Sequence, residues 1–509
     1  MALIALILTY FTARLCLYSV GGVTFIKVIV ITCFFPQYFG NAWSFLHMLY
    51  YPFVKLKPFK EVFLQEMPAT AIVYFIRKES AGLYERMEYS FANNFLPNVD
   101  LWIASGQAAQ EYIDYEMSVI ARLKEQFGDN RVFRLHSENP NDKKREMMDL
   151  WLEKYTGRYK YYIPCDGDSI LEKNSVLRMA RKAEHPENRH IGCFQANILI
   201  SSAYTYFSDN NRRAVGILME LYLKIKQAVF KSTLCFGHNC LIKCEAMRGL
   251  NIPAGVMSHD IFDTAYMEKR GYKTVFCADV ITYEESPANY VEERKRNIRW
   301  MKGDFESMPL IFDRDIPFAT RFMTYFNLHN YLTSVCFFVS MTLGLFANWG
   351  LYSWWGMLII LQYMLTFGIL AITIFHHFIL ARNFGDIKEI IREIVFTTLV
   401  ASNSTMYNVI DLILVFLNKQ QWSLWDPMAK DPREGLSWYR AVRSLWPSTV
   451  VGIFWASYLI HRRWTATLIL SAPILISFIF SIPLTYYSAK EMPERKVGST
   501  LFMHRRHRQ

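Results

Sequence analysis

The stretch Tyr159-Lys160-Tyr161-Tyr162-Ile163-Pro164-Cys165 runs straight into Asp166-Gly167-Asp168-Ser169. A short apolar, aromatic-rich run bounded by turn residues reads as a buried strand. In open α/β sheets ligands bind beyond the carboxyl ends of strands, which is where this turn delivers two carboxylates. The glycine between them lets the backbone turn so that both face one hard divalent cation and the diphosphate it neutralises. An Asp-Gly turn that only closes a strand carries the same letters, so the motif needs company.

Working outward, residues 71–76 and 99–104 read as two earlier strands and residues 111–126 as a surface helix. Strand-helix-strand repeats of this kind predict a doubly wound α/β sheet. Downstream, Met257-Ser258-His259-Asp260 precedes an amphipathic stretch, residues 261–270, closed by Gly271. Asp260 is placed either to cap that helix or to take a proton from an attacking hydroxyl. After a further strand at 274–283 and the pair Glu284-Glu285, the helical run 291–301 brings Arg296, Arg299 and Trp300 to one face at i, i+3 and i+4. Two guanidiniums suit a departing diphosphate and an indole suits a sugar ring; a basic helix lying on a membrane has the same pattern.

The chain of 509 residues is 52% hydrophobic, with 30 Tyr, 38 Phe and 13 Trp, too apolar for an ordinary soluble enzyme. A span needs on the order of 20 apolar residues, and residues 2–20, 22–39, 323–346, 352–380, 448–460 with its flanks, and 465–486 are the candidates. Residues 390–417 are apolar but interrupted by Ser402, Asn403, Ser404, Asn408 and Asp411, and read as interfacial or re-entrant. The division expected is N-terminal transmembrane helices over 1–56, a cytosolic transferase domain over 57–320, a C-terminal transmembrane bundle with interfacial helices over 321–490, and a basic cytosolic tail over 491–509.

A net charge of +11 raises the question of nucleic acid, but the basic residues are spread over helix faces and membrane flanks. Anionic lipid and a sugar-nucleotide phosphate are the targets expected, and nucleic acid is not. The nine cysteines include no paired CxxC units, and Cys235, Cys240 and Cys244 beside His238 read as packed free thiols rather than a zinc site.

In order, the DGD, SHD and RxxRW segments resemble the cellulose-synthase-like branch of the family-2 glycosyltransferases, and above all the glucans biosynthesis glucosyltransferase H family. The resemblance extends through Gly237-His238-Asn239-Cys240-Leu241-Ile242-Lys243, the string from Ser258 to Tyr272, Tyr283-Glu284-Glu285-Ser286-Pro287, Gly435-Leu436-Ser437-Trp438 and Ser481-Ile482-Pro483-Leu484. It implies a GT-A-type domain that polymerises a β-linked glucan by inverting transfer from UDP-glucose, with Mg2+ or Mn2+ as the divalent metal. It places metal and donor binding on Asp166 and Asp168, the catalytic base on Asp260, diphosphate binding on Arg296 and Arg299, and acceptor binding on Trp300, His259 and His238. The partners it implies are the nucleotide-sugar donor, the growing glucan acceptor, the lipid bilayer of a bacterial inner membrane, and a periplasmic glucan-processing protein.

The departures from the family gather at the nucleotide end. Where the first strand ordinarily runs into a Pro-x-x-Asn-Glu turn, this chain reads Phe75-Ile76-Arg77-Lys78-Glu79, and Glu79 alone survives as a donor-site residue. The acid that would contact uracil is replaced within Ala104-Ser105-Gly106-Gln107, and a Lys-x-Gly-Asn loop by Lys144-Arg145-Glu146-Met147. Three readings follow: an active β-glucosyltransferase, a transferase with another donor for which Arg77 and Lys78 serve phosphate, and a scaffold that binds a nucleotide sugar without turnover.

Overall fold

A computed structural model describes residues 6–7, 10, 24–78, 82–139, 142–200, 204–344, 384–417 and 435–492. Eight strands form one sheet: β1 Thr70–Ile76, β2 Val99–Ser105, β3 Val132–His136, β4 Tyr161–Asp166, β5 Ile170–Leu171, β6 Ile191–Ile200, β7 Cys240–Lys243 and β8 Lys273–Glu284, in the order β3-β2-β1-β4-β7-β6-β8-β5. The helices of eight residues or more are α1 Phe25–Tyr50, α2 Leu83–Ala92, α3 Gln110–Phe127, α4 Lys144–Tyr155, α5 Ser175–Glu184, α6 Tyr206–Phe230, α7 His259–Lys269, α8 Tyr290–Glu306, α9 Phe318–Gly344, α10 Phe384–Phe416, α11 Trp438–His461, α12 Ala472–Ile479 and α13 Ser481–Ser488.

The doubly wound expectation describes half of this sheet. Strands β3, β2, β1 and β4 are parallel, with every residue of β1 and β2 buried, as strands covered on both faces require. The registers Phe75 with Asp166, Ile76 with Ser105, and Ser105 with His136 bring all four carboxyl ends to one edge. Beyond β4 the sheet is mixed: β7 runs antiparallel to β4 and β6, β6 and β8 are parallel, and β5 is antiparallel to β8. That last pairing, Ile170 with Tyr283, folds the segment after the Asp-Gly-Asp turn against the end of β8. It sets Glu284 and Glu285 beside the turn.

Among the described residues no helix is long and apolar enough to cross a membrane. Residues 323–344 and 448–460 fall in α9 and α11, and most of 22–39 falls in α1, but these helices carry polar groups: Lys27 and Gln37 are buried in α1, and His329 in α9. Residues 352–380, and all of 2–20 but 6, 7 and 10, lie outside the described residues. The run 465–486 is not one helix. It divides into Thr465–Leu470, α12 and α13, where Pro473 and Pro483 each remove a backbone donor from the helical ladder.

Residues 390–417, expected to be interfacial or re-entrant, are almost wholly part of one unbroken helix, α10, of 33 residues. Its polar side chains are taken up by neighbours instead of breaking it. Asp411 accepts from Arg294 of α8 at 2.9 Å, Asn403 donates to Ser477 Oγ at 2.9 Å, and Asn408 donates to Ser334 Oγ at 3.0 Å. Arg440 of α11 pairs with Glu292 of α8 at 3.0 Å, so α8 is fastened to both later helices.

The eight cysteines that are described are free. Cys235 and Cys240, with sulfurs 3.6 Å apart, pack with Cys193 in the core, while His238 turns to Phe236 and Glu284.

Candidate active site

The Asp-Gly-Asp turn is held from three sides. Tyr74 of β1 donates to the Ser169 carbonyl at 3.0 Å, Arg86 of α2 donates to the Gly167 carbonyl at 2.8 Å, and the Asp166 amide donates to Ser169 Oγ at 2.9 Å. Asp168 accepts from the Glu285 amide at 3.2 Å, and Glu285 in turn meets Arg86 at 3.2 Å. A turn so fixed presents its carboxylates in one arrangement, which is what repeated ligand binding requires.

Asp166 receives an ammonium that sequence reasoning missed. Lys144, at the first turn of α4, hydrogen-bonds Asp166 Oδ1, and His238 Nδ1 stands 3.7 Å from Oδ2. Burial by itself would raise the Asp166 carboxyl, but the charges of Lys144 and His238 override it and hold the group below its usual range. The available signal was the lysine kept in Lys144-Arg145-Glu146-Met147 after the rest of the familiar loop had changed.

His238 stands beside Asp166. One ring nitrogen lies 2.9 Å from the Phe236 carbonyl and the other 2.8 Å from Glu284. Burial would lower its pKa, yet Asp166 and Glu284 carry it up to about 9, so the imidazole is a cation at neutral pH. Both of its nitrogens are engaged by protein oxygens.

Asp260 lies in the first turn of α7, and Ser258 is the residue that precedes the helix, so Asp260 is not its cap. Burial pushes its carboxyl up to about 6, a value suited to a base that must be ionised near neutrality and still hold a proton once it has taken one. Next to it, His259 is buried, with Nδ1 2.8 Å from Asp263; Asp263 meets the buried Arg145 of α4 at 2.5 Å. That chain of charges ties α7 to α4, whose first residue is Lys144.

Two glycines permit the close approach of these elements. Gly237 has φ +70, and a Cβ there would stand 3.0 Å from the His259 ring and 3.1 Å from Asp260 Cβ. Gly303 of α8 lies against Ser258 so closely that a Cβ would come within 2.6 Å of the Ser258 backbone nitrogen. The turn at Ser258 therefore packs closely on α8 at Gly303, one turn beyond Trp300.

Along α8, Arg296 is buried and pairs with Glu293 at 2.7 Å, while its Nε has no hydrogen-bond partner among the described residues. Its guanidinium lies 4.6 Å from the Trp300 ring centre, and that indole is 50% exposed. Arg299 is partly buried on the same helix. Glu79 lies outside the described residues.

The site thus joins Asp166, Asp168, Lys144, His238 and Arg296 around the turn, with Asp260 across from them on α7. Two aspartates with oxygen donors alone fit a hard cation such as Mg2+ or Mn2+. The unfilled Arg296 Nε fits an anionic oxygen.

The glycosyl transferase family group 2 matches residues 163–376, an interval that opens inside β4 and takes in every one of these segments but Lys144. The chain is 24% identical over 361 residues to glucans biosynthesis glucosyltransferase H of Caulobacter vibrioides, covering 65% of this chain and 53% of that protein. It is 23% identical over 453 residues to the protein of the same name from Pseudomonas entomophila, covering 81% and 52%. The chain spans about half the length of these curated relatives. Among solved structures, a mannosyltransferase from Pyrobaculum calidifontis in complex with GDP-Man and Mn2+ matches with a TM-score of 0.52 at 13% identity, over 78% of this chain and 100% of that one. At that identity the likeness speaks for the GT-A fold.

Proposed function

We propose, from the match of residues 163–376 to glycosyl transferase family group 2 and the likeness to glucans biosynthesis glucosyltransferase H, that this chain is a family-2 hexosyltransferase which extends a β-glucan from UDP-glucose with inversion. The observation that carries this reading is the position of Asp260: a carboxyl raised to about 6 by burial, on a helix seated against both the Gly237 loop and α8. Glucose as the sugar rests on the names of the relatives. A nucleotide sugar as the donor class is supported by GDP-Man in the structural neighbour.

In this reading Arg296 and Lys144 hold the diphosphate, Trp300 stacks under the terminal acceptor sugar, and Asp260 accepts the proton of the acceptor hydroxyl as its oxygen attacks the anomeric carbon. The nucleoside diphosphate departs toward Arg296. A divalent cation held by Asp166 and Asp168 would supply charge neutralisation of that leaving group. His259, buried and fixed by Asp263, positions the turn that carries Asp260.

The same proposal puts the enzyme at a bilayer, with the catalytic domain cytosolic and the glucan passing across. Support comes from the exposed apolar side chains of α11, Val450, Ile453, Phe454 and Ile460, each about half or more exposed, as lipid contact would require.

Donor binding is testable by thermal stabilisation of the full chain with UDP, GDP or CMP in the presence of Mg2+ or Mn2+. UDP is expected to stabilise it, and chelation to abolish the shift. Stabilisation by GDP or CMP in place of UDP would overturn the choice of donor, and none with any nucleotide would overturn the transferase reading.

A further inference from the structure

Helix α8 carries Arg296, Arg299 and Trp300 on one face, and at about 3.6 residues per turn Arg294 falls on the opposite one. That far face is held by α10. Arg294 Nε stands 2.9 Å from Asp411 Oδ2 and 3.1 Å from Oδ1, Nη2 hydrogen-bonds Oδ1 as well, and Nη1 donates to the Ser444 carbonyl of α11 at 3.2 Å. The guanidinium lies 4.1 Å from the ring centre of the buried Tyr407, and one turn back on α8 Tyr290 donates to Ser404 at 3.3 Å. Ser404, Tyr407 and Asp411 follow at i, i+3 and i+7, so a single stripe of α10 takes up a single stripe of α8.

A buried ion pair is a poor source of stability, because taking both charges out of water offsets their attraction, and apolar residues of like volume often serve as well or better. Asp411 is 2% exposed, on a helix that shows Ile391, Val395, Ile413 and Phe416 outward. What this pair supplies is geometry. A planar guanidinium bonded to both oxygens of a carboxylate fixes angle as well as distance, which two apolar side chains in contact do not. On its other side α8 is closed against Ser258 at Gly303, so the helix stands between α10 and the turn that carries Asp260.

We propose that Arg294 and Asp411 are a positioning pair through which α10 sets the place of Arg296 and Trp300 relative to Asp260. The proposal rests on the transferase reading, which supplies the reaction that registers a displacement. Neither residue touches donor or acceptor, and the pair acts through α8. A misplacement of about 1 Å at a reacting centre costs about 100-fold in rate. Asp166, Asp168 and Lys144 belong to the sheet edge and α4, so nucleotide binding outlasts the loss of the pair. An ion pair that only packs α8 on α10 is the competing account, and it makes turnover indifferent to an apolar replacement that keeps the fold.

The experiment is the double variant Arg294→Met/Asp411→Leu in the full chain in detergent, beside the wild type and Arg294→Lys. The melting temperature, its rise with UDP and Mg2+, and kcat and KM for UDP-glucose are read. The double variant should melt at or above the wild type, keep the UDP shift and the KM, and lose about 100-fold in kcat. Arg294→Lys, which keeps the charge and loses the fork, should fall between the two. Wild-type kcat in a stable double variant would overturn the proposal, and so would loss of the UDP shift together with kcat, which marks damage to the whole site. If the double variant does not fold, Arg294→Lys and Asp411→Asn decide by the same split of kcat from UDP binding. A folded wild type that transfers no sugar would overturn the transferase reading and the proposal with it, a failure told apart because it shows before any variant is compared.

Discussion

The two ends of the sheet's ligand edge treat their acids in opposite ways. At the nucleotide end the acid is spent. Glu116 accepts from Ser105, the last residue of β2, at 2.7 Å and from Arg134 at 2.7 Å. What stays open there is basic: Arg77 Nε at the end of β1 is buried without a partner among the described residues. At the transfer end the acid is kept, for Asp260 is governed by burial and sits at about 6. The difference is that one carboxylate is consumed by the fold and the other is left to burial, which under the proposed function leaves cations for the donor phosphate and Asp260 for the acceptor proton.

Substitutions at the two ends differ in the size of their expected effects. The largest effect belongs to the turn: Asp168→Ala should lower transfer on the order of 1,000-fold and abolish metal-dependent nucleotide stabilisation, since the metal contributes several kcal/mol. Unchanged metal dependence would show that Asp168 is not a ligand. The next is a pH profile. Asp260 is raised, so it is protonated and inactive below about 6 and ionised above it; the rate should fall about tenfold per pH unit on the acid side. A flat profile from pH 5 to 8 would remove Asp260 from the role of base. The raised value also predicts that Asp260 costs stability as pH rises past its unfolded value, so Asp260→Asn should stabilise the fold by about 1–2 kcal/mol at pH 7.5, read by thermal melts.

Smaller effects separate packing from chemistry. Gly303→Ala forces a methyl against the Ser258 backbone and should cost about 1–3 kcal/mol of stability, with activity falling and nucleotide stabilisation retained. Ser105→Ala removes one hydrogen bond to Glu116 and should cost about 1 kcal/mol, leaving the order of preference among UDP, GDP and CMP as it was. A switched preference would show that the nucleotide end does read the base through Ser105.

Much of this was legible in the sequence because local pattern carried it. The strand ending at Asp166, the helix carrying Arg296 and Trp300, and the strand before Glu284 fall within a few residues of their expected bounds. What the sequence hid depends on contacts between distant segments. Lys144 meets Asp166 across 22 positions and Arg145 meets Asp263 across 118, and no periodicity signals either. The antiparallel β7 was hidden because a strand of four residues, Cys240–Lys243, carries no mark of its direction. For residues 390–417, read as interfacial or re-entrant, the sequence could not show that Arg294, Ser477 and Ser334 supply partners for the polar side chains from other elements.

The most direct measurement is incubation of membranes containing the full chain with labelled UDP-glucose and Mg2+, wild type beside Asp260→Asn. The account predicts high-molecular-weight label from the wild type, lowered about 100- to 10,000-fold in the variant while UDP still stabilises both. Label that persists undiminished in Asp260→Asn, or its absence from a folded and abundant wild type, would contradict it.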